Sequence, residues 1–290
     1  MPQLVMRMTG TNSTLTRTVA VGLALLVAAS FGVGSVASLD GAVASTAQDA
    51  EGESAEVRIA HMSPDAPAVD VRVDNETAFQ DLEFGDVTEF VELEPGDRQV
   101  TIVTAENETV VFDGTVSVRA NESYTVTAAG EVSENGTQAF APVVLRTDPA
   151  VPSGNDSAVR VAHFSPDAGP VDVTVADSDA VLADNLTFGN ATEYVTVPSG
   201  AYEIEVRAAA EDNNGTVVAT FNESLLDGSA YTAFAAGYAA PDEAPGNESL
   251  DLFIGVDAGR ESANETTTAM DGTETTVMDD ETVEETTTEA

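Results

Sequence analysis

The chain has 290 residues, no cysteine, and a formal net charge of −41 from 51 acidic residues against 10 basic ones, all arginines. This composition excludes disulfides, thiolate metal sites and cysteine nucleophiles, and it gives little affinity for nucleic acid. The length fits two domains of about 100–150 residues, and the acidic surface suits molar salt, where the Debye length falls to about 3 Å. We expect a protein of a salt-loving microbe, with an acidic secreted protein as the alternative.

Residues 1–44 have the pattern of an export signal. Arg7 and Arg17 precede an uncharged apolar core, and small-residue patterns that end at Ala37 and Ala44 offer cleavage sites. An uncleaved membrane anchor is the alternative, because about 20 uncharged residues can just span a bilayer. The sequence therefore predicts an extracellular or cell-surface location. Contact with the membrane would occur only through this segment, if it is uncleaved.

A ten-residue stretch occurs twice, as VRIAHMSPDA at 57–66 and as VRVAHFSPDA at 159–168. The match continues beyond it, pairing Phe84-Gly85 with Phe188-Gly189, Thr88-Glu89-Phe90-Val91 with Thr192-Glu193-Tyr194-Val195, and Ser123-Tyr124-Thr125 with Ala230-Tyr231-Thr232. The chain is therefore predicted to hold module 1 at 55–147 and module 2 at 157–256. The linker between them, 148–156, has two prolines and one glycine, which make it short and fairly stiff.

Inside each module the apolar residues have a period of two, which is typical of strands. Val69, Val71 and Val73 alternate with polar residues, and turn residues such as Asp113-Gly114 and Asn135-Gly136 interrupt the pattern. Short alternating strands separated by such turns predict an all-β fold. We expect two tandem antiparallel β-sandwich modules of immunoglobulin or transthyretin type, each with roughly seven or eight strands and one core.

The C-terminal residues 257–290 are predicted to be a disordered tail. From Glu261 to Ala290 the chain holds ten threonines, ten acidic residues and no basic residue. Such a segment has too little apolar surface to offset the loss of chain entropy on folding. Threonine-rich tracts of this kind are typical of glycosylated stalks.

The stretch from His61 to Val71, together with its second copy, resembles the family catalogued as domain of unknown function 4397. The resemblance covers about residues 55–256, and the second copy departs from the first at Gly169-Pro170, where the first has Pro67-Ala68. It implies a β-sandwich module of exported bacterial and archaeal proteins, often present in tandem. The family has no settled activity, so the resemblance implies no catalytic residue.

The two histidines of the chain lie in the repeated stretch, each near two aspartates. These six residues are candidates for a metal site or an acid–base pair: His61, Asp65, Asp70, His163, Asp167 and Asp172. The alternative is structural, because Ser-Pro-Asp is a turn whose side chains bond local backbone, and the histidine can bond to that turn. No spacing matches a known metal motif. We expect no catalytic residue and no cofactor, with a divalent metal as the open alternative.

Asparagines followed by X-Ser/Thr are candidates for N-glycosylation. Besides one in the signal region, these asparagines are Asn75, Asn107, Asn121, Asn135, Asn155, Asn185, Asn190, Asn214, Asn222, Asn247 and Asn264. Most of them lie at turn-like positions, where a glycan fits on the surface. The sequence therefore predicts a glycosylated exterior.

Two further pairs of matched residues are interpreted as structural. Arg58 and Arg160 occupy the same module position, and in so acidic a chain each is expected to pair with a nearby carboxylate. Tyr124 and Tyr231 are expected in the core or at its rim.

Two functional hypotheses follow from these patterns. The first is a non-enzymatic secreted or cell-surface protein of a halophile that acts in envelope organisation, adhesion or glycan contact. The alternative is an extracellular protein that binds a metal ion or small ligand through the paired His-Ser-Pro-Asp turns. Cell-envelope components or glycans are the expected partners, and the oligomeric state stays open. The sequence contains no nucleophile elbow, phosphate loop or dinucleotide fingerprint that would indicate an enzyme.

Overall fold

The computed structural model describes residues 54–178 and 180–259. The predicted signal segment, 1–44, lies outside these residues, as does the predicted tail, 257–290, except for residues 257–259. The predicted start of the tail is corrected, because the last strand of the fold runs to Ala258. Within the described ranges, no helix has the length and apolar character needed to cross a membrane.

Module 1 consists of eight strands in two four-stranded sheets. The strands are β1 (Ala55–Met62), β2 (Val69–Val73), β3 (Glu76–Leu82), β4 (Val91–Leu93), β5 (Gly96–Thr104), β6 (Val110–Val118), β7 (Ser123–Ala129) and β8 (Ala141–Arg146). The inner sheet has the order β4-β1-β7-β8 and the outer sheet the order β3-β2-β5-β6.

Module 2 repeats this arrangement strand by strand. Its strands are β9 (Asp156–Phe164), β10 (Val171–Val175), β11 (Val181–Leu186), β12 (Val195–Pro198), β13 (Gly200–Ala208), β14 (Val217–Leu225), β15 (Ala230–Ala236) and β16 (Asp251–Ala258). The inner sheet is β12-β9-β15-β16 and the outer sheet β11-β10-β13-β14. A 3-10 turn at Pro241–Glu243 lies between β15 and β16.

The all-β prediction of two sandwich modules is confirmed, but one strand pair in each module is parallel rather than antiparallel. Strand β1 runs parallel to β7, and β9 runs parallel to β15. Between the two strands of each parallel pair, the chain passes through the outer sheet before it returns to the inner sheet. The two central strands of the inner sheet can therefore run in the same direction. Immunoglobulin sheets place strands 1, 2, 5 and 4 together. Here strands 4, 1, 7 and 8 share a sheet, which is the transthyretin-like arrangement.

The two central strands of each inner sheet are buried on both faces. Along β1, Val57 and Ile59 point into the core of module 1, while Ala60 and Met62 belong to a separate apolar cluster. This cluster joins residues of both modules: Ala60, Met62, Ala129, Ala162, Phe164, Phe234 and Ala236. The two inner sheets therefore pack against each other, so the described residues form four sheet layers. Each large apolar side chain buried there contributes about 1.5–3 kcal/mol.

The packing aligns corresponding ends of the two modules. Arg58 donates from Nη1 to the carbonyl oxygen of Val256 at 2.8 Å, which joins the start of β1 to the end of β16. Tyr238 donates to Glu131 at 2.9 Å beyond the opposite ends of the inner strands. The described chain ends near residues 54 and 259 therefore share one end of the unit, called the terminal end below. The signature turns, 63–68 and 165–170, lie at the other end, called the loop end.

Candidate functional site

Both histidines are buried and hydrogen-bonded at each ring nitrogen. The Nε2 atom of His61 lies 3.3 Å from the carbonyl oxygen of Pro67, and Nδ1 accepts from the amide of Ser63 at 3.4 Å. His163 repeats the pattern, with Nε2 2.7 Å from the carbonyl oxygen of Gly169. A ring that donates from Nε2 and accepts at Nδ1 is neutral. Burial lowers the pKa of His61 to about 4 and also lowers the pKa of His163.

The aspartates of the signature turns bind backbone amides of a neighbouring loop. Asp65 accepts from both amides of 132–133, each at 2.9 Å. Asp167 accepts in the same way from the amides of 239–240, at 2.8 and 2.9 Å. Each carboxylate therefore holds its signature turn against the loop that follows the seventh strand of its module.

The remaining pair of candidate aspartates lies on the outer sheets. Asp70 accepts from the amide of Asp81 at 2.9 Å, and Asp172 accepts from the amides of Asn185 and Ala210, both at 2.8 Å. The structure thus places the six sequence candidates in separate hydrogen bonds to backbone. Among the described residues, no group of three or more His, Asp or Glu side chains is arranged to hold a metal ion.

The two repeated arginines lie at the interface between the modules. Arg58 is 1 % exposed, donates from Nε to the hydroxyl of Thr125 at 2.9 Å, and forms an ion pair with Asp257. The expected carboxylate partner is present, but it comes from the other module. Desolvation lowers the pKa of Arg58, while Asp257 acts in the opposite direction.

Arg160 makes the corresponding contacts without a carboxylate. It donates to the hydroxyls of Thr232 and Thr147 at 2.8 and 2.9 Å, and to the carbonyl oxygen of Arg146 at 2.7 Å. The expectation of a direct carboxylate partner is wrong here, because no such ion pair to Arg160 occurs within the described ranges. The register explains the difference, since Thr147 in module 1 occupies the position of Asp257 in module 2.

A single carboxylate therefore faces two buried guanidinium groups. Asp257 accepts from the hydroxyls of Thr232, at 2.6 Å, and Tyr194, at 2.7 Å. Thr232 in turn accepts from Arg160, which connects both arginines to one anion. Burial and the charge of Asp257 raise the pKa of Tyr194. The sequence did not identify Asp257, because this residue follows the predicted end of module 2. Its equivalence to Thr147 of module 1 is the signal that could have found it.

Aromatic rings cover the two arginines on one side. The Cζ atom of Arg58 lies 4.7 Å from the ring centroid of Phe90, and that of Arg160 lies 4.8 Å from the ring centroid of Tyr194. Guanidinium groups over aromatic faces gain about 0.5–2 kcal/mol, more when they are desolvated. The paired aromatic positions therefore help to hold two cations inside an interface.

A second polar contact joins the modules near the loop end. Glu131 and Tyr238 occupy the same position in the two modules, and the Tyr238 hydroxyl donates to Glu131 Oε1. The other oxygen of Glu131 accepts from the amides of Thr137 and Gln138 and from the Thr137 hydroxyl. Burial and this hydrogen bond raise the pKa of Tyr238. Sequence reasoning missed the pair because neither residue is repeated.

A polar groove lies on the outer sheet of module 2. Its volume is about 570 Å³, and its lining includes Thr174, Asp177, Glu205, Arg207, Asp212 and Asn214. Arg207 is fixed in the wall by hydrogen bonds to the Thr174 hydroxyl at 3.2 Å and the Gly215 carbonyl at 2.9 Å, and by an ion pair with Glu205 at 2.5 Å. The volume lies within the range of small-ligand pockets, about 300–1,000 Å³. The groove offers both donors and acceptors.

Several solved structures resemble this chain at low identity. The Bacillus anthracis TIE protein is 10% identical over 64% of this chain, with a TM-score of 0.21, and this chain spans 34% of its length. CBMbc, a family CBM26 module from Eubacterium rectale Amy13K solved with maltoheptaose, is 11% identical over 71% of this chain and 98% of its own, with a TM-score of 0.23. An α-glucan-binding streptococcal virulence factor is 12% identical, covering 62% and 91% of the two chains, with a TM-score of 0.21. These scores support no argument about ligand.

Family comparison gives a clearer result than the comparison of structures. No curated protein matches the chain. The family described as "Domain of unknown function (DUF4397)" matches twice, at residues 55–174 and at 157–269. The first match covers module 1 and continues into β10 of module 2, and the second covers module 2; together they span more than half of the sequence. The chain therefore belongs to the DUF4397 family and carries two copies of its domain.

Proposed function

We propose that this chain is a non-enzymatic, exported or cell-surface protein of a halophile, and that its paired modules act as one rigid unit in envelope organisation and adhesion through glycan contact. The unit would be held by the polypeptide at its terminal end and would present its outer surfaces to the surroundings. Glycan contact is assigned to the polar groove of module 2.

The observation that carries this proposal is the use of the repeated polar residues inside the fold. The signature histidines and aspartates bind backbone, and the repeated arginines cross the module interface. None of these residues presents a free nucleophile or general base to a cleft. The surfaces that remain for partners are the outer sheets and the loop end, because the inner sheets cover each other.

The chemistry of the groove favours a ligand rich in hydroxyl groups. Asp177 and Asp212 are exposed at its margin and can accept hydrogen bonds, while Arg207 carries N–H donors. Sugar hydroxyls both donate and accept, so a wall with both kinds of group can bind them without burying an unpaired polar atom.

Binding is tested with the exported chain in molar KCl, using immobilised envelope polysaccharides and calorimetry. Asp212→Ala, in the β13–β14 loop, should weaken binding by about tenfold, which is about 1.4 kcal/mol. The matched control is Glu106→Ala in the corresponding β5–β6 loop of module 1, which is not part of the groove lining, and it should bind as the parent does. Equal binding by parent and Asp212→Ala would refute the assignment to the groove.

Location is tested separately by fractionation of the producing cells. Antibody against the folded unit should detect the chain in the envelope or the medium. Protease added outside intact cells should digest the chain. A chain found in the cytosol alone would contradict the proposal, whatever its binding to glycans.

A further inference from the structure

Almost every asparagine of the chain lies in an N-glycosylation sequon, Asn-X-Ser/Thr. The chain has 13 asparagines, and 12 of them are followed two residues later by serine or threonine, with no proline between. Serine and threonine supply 52 of the 290 residues, so random placement would produce about two such sequons. The exception, Asn213, directly precedes a sequon asparagine. Composition alone therefore does not explain the number of sequons.

The structure places every described sequon asparagine at the surface. All ten between Asn75 and Asn247 are exposed, and most lie in turns between strands. Asn185 and Asn222 differ, because they lie within the edge strands β11 and β14, where both are exposed. None of the ten belongs to the apolar clusters or the module interface.

Some of these asparagines have a structural reason to be there. Asn75, Asn121 and Asn185 adopt positive φ values of 69°, 58° and 49°, a backbone conformation that asparagine tolerates well. The side chain of Asn107 accepts from Thr104 and Thr109, and that of Asn190 donates to Thr187. The fold itself can account for asparagine at these five positions.

The other five have no such explanation. Asn135, Asn155, Asn214, Asn222 and Asn247 have no positive φ, and their side chains make no hydrogen bond within the described part of the chain. The described contacts of these five side chains therefore give no reason for asparagine in preference to another polar residue. What these residues share is exposure together with a hydroxyl residue two positions later.

We propose that Asn135, Asn155, Asn214, Asn222 and Asn247 are N-glycosylation sites, modified by an oligosaccharide transferase during or after export. The side-chain Nδ2 forms a bond to C1 of the first sugar of a lipid-phosphate-linked oligosaccharide. The bond from C1 to the phosphate oxygen breaks, the lipid phosphate leaves with the electron pair, and the amide proton passes to solvent. The glycans would cover the loop end at Asn135, Asn214 and Asn247, the terminal end at Asn155, and the outer sheet of module 2 at Asn222.

Glycosylation at these sites requires the export that is part of the proposed function. The test therefore measures location and modification separately. The full chain is purified from the envelope or medium of a salt-loving producer that possesses the transferase, and its peptides are mapped by mass spectrometry. A chain made in a cytosol without the transferase supplies the unmodified reference masses. Each of the five asparagines should carry a hexose-containing mass, and Asn213 should carry none although it is next to Asn214.

Variants at the hydroxyl residue test the sequon without touching the asparagine. Thr216→Ala should abolish the glycan at Asn214, whereas Thr216→Ser should retain it; Ser224→Ala and Ser224→Thr form the same pair for Asn222. An exported chain with unmodified mass at all five positions would overturn this inference and leave the proposed function standing. An unmodified chain confined to the cytosol would overturn both.

Discussion

The two modules contribute equivalent arginines to their interface, but these arginines have different partners. Arg58 and Arg160 make matching bonds to a threonine hydroxyl and to the carbonyl of the opposite last strand. Only Arg58 reaches a carboxylate, because Asp257 in module 2 stands where module 1 has Thr147. The comparison shows that a duplicated interface can retain its geometry while one copy supplies the charge for both. A second carboxylate would add another ion to desolvate.

The outer sheets differ more than the inner ones. Thr174, Glu205 and Arg207 form the wall of the module 2 groove, and the register places Arg72, Thr101 and Val103 at the corresponding positions of module 1. The arginines at the module interface and their threonine partners on β7 and β15 are repeated, whereas these three outward positions have diverged. The outward residues are therefore the better place to seek a difference in binding.

The largest expected effect is the loss of the shared carboxylate. Asp257→Ala leaves the buried Arg58 guanidinium without its counter-charge, and it should lower the free energy of unfolding by about 3–5 kcal/mol. Thr147→Ala removes only a hydroxyl partner of Arg160 and should cost about 1–2 kcal/mol. Urea unfolding in molar KCl measures both. Equal losses would contradict the asymmetric charge arrangement.

A glycine pair tests the packing of the same interface. A Cβ atom at Gly85 would lie 2.2 Å from the Phe253 ring of the other module, whereas one at the matching Gly189 would meet nothing within 4 Å. Both positions have positive φ, so both alanine variants carry backbone strain. Gly85→Ala should be less stable than Gly189→Ala by about 1–3 kcal/mol. Similar thermal stabilities of the two variants would show that the modules do not pack closely at Phe253.

The buried histidines should make stability depend on pH. The pKa of His61 falls to about 4 in the folded chain, so below pH 6.5 the unfolded chain binds protons more readily. The contribution of His61 to the free energy of unfolding is fully present above pH 6.5 and is lost as the pH falls toward 4. The expected loss is about 2 kcal/mol between pH 7 and pH 5. Proton NMR can follow His61 directly, since the chain has only two histidines. A titration midpoint near 6.5 in the folded state would disprove this account.

The smallest effect is expected at the second polar contact between the modules. Tyr238→Phe removes the hydroxyl that donates to Glu131 Oε1, while the other carboxylate oxygen keeps its donors from Thr137 and Gln138. Stability should fall by about 1 kcal/mol. Tyr202→Phe is the control, because the Tyr202 hydroxyl bonds a carbonyl at the exposed surface. A loss no greater than that of the control would mean that the Glu131 contact adds nothing to the interface.

The local pattern predicted much of the fold. Alternation of valine with polar residues predicted strands, and the repeated stretch predicted two modules of one kind, now confirmed as a pair of family domains. The parallel pairing of β1 with β7 was not predicted, because alternation reports which face a residue occupies but not the direction of its neighbour strand. The six candidate site residues were correctly singled out as repeated, but sequence spacing could not show that they bind different backbone groups.

By itself the sequence determined the duplication, the strand content, the acidic surface and the sequons, since each is a property of composition or of residues close together in the chain. Only the tertiary structure decided that the modules pack through their inner sheets and that Arg58 meets Asp257, 199 residues away. It also decided which sequon asparagines lack a role in the fold. The physical reason is that a strand buried on both faces, such as Ala230–Ala236, has a more continuous apolar run, but this run does not show which element covers the second face. The partner of the second face is set by long-range packing, which leaves no period in the sequence.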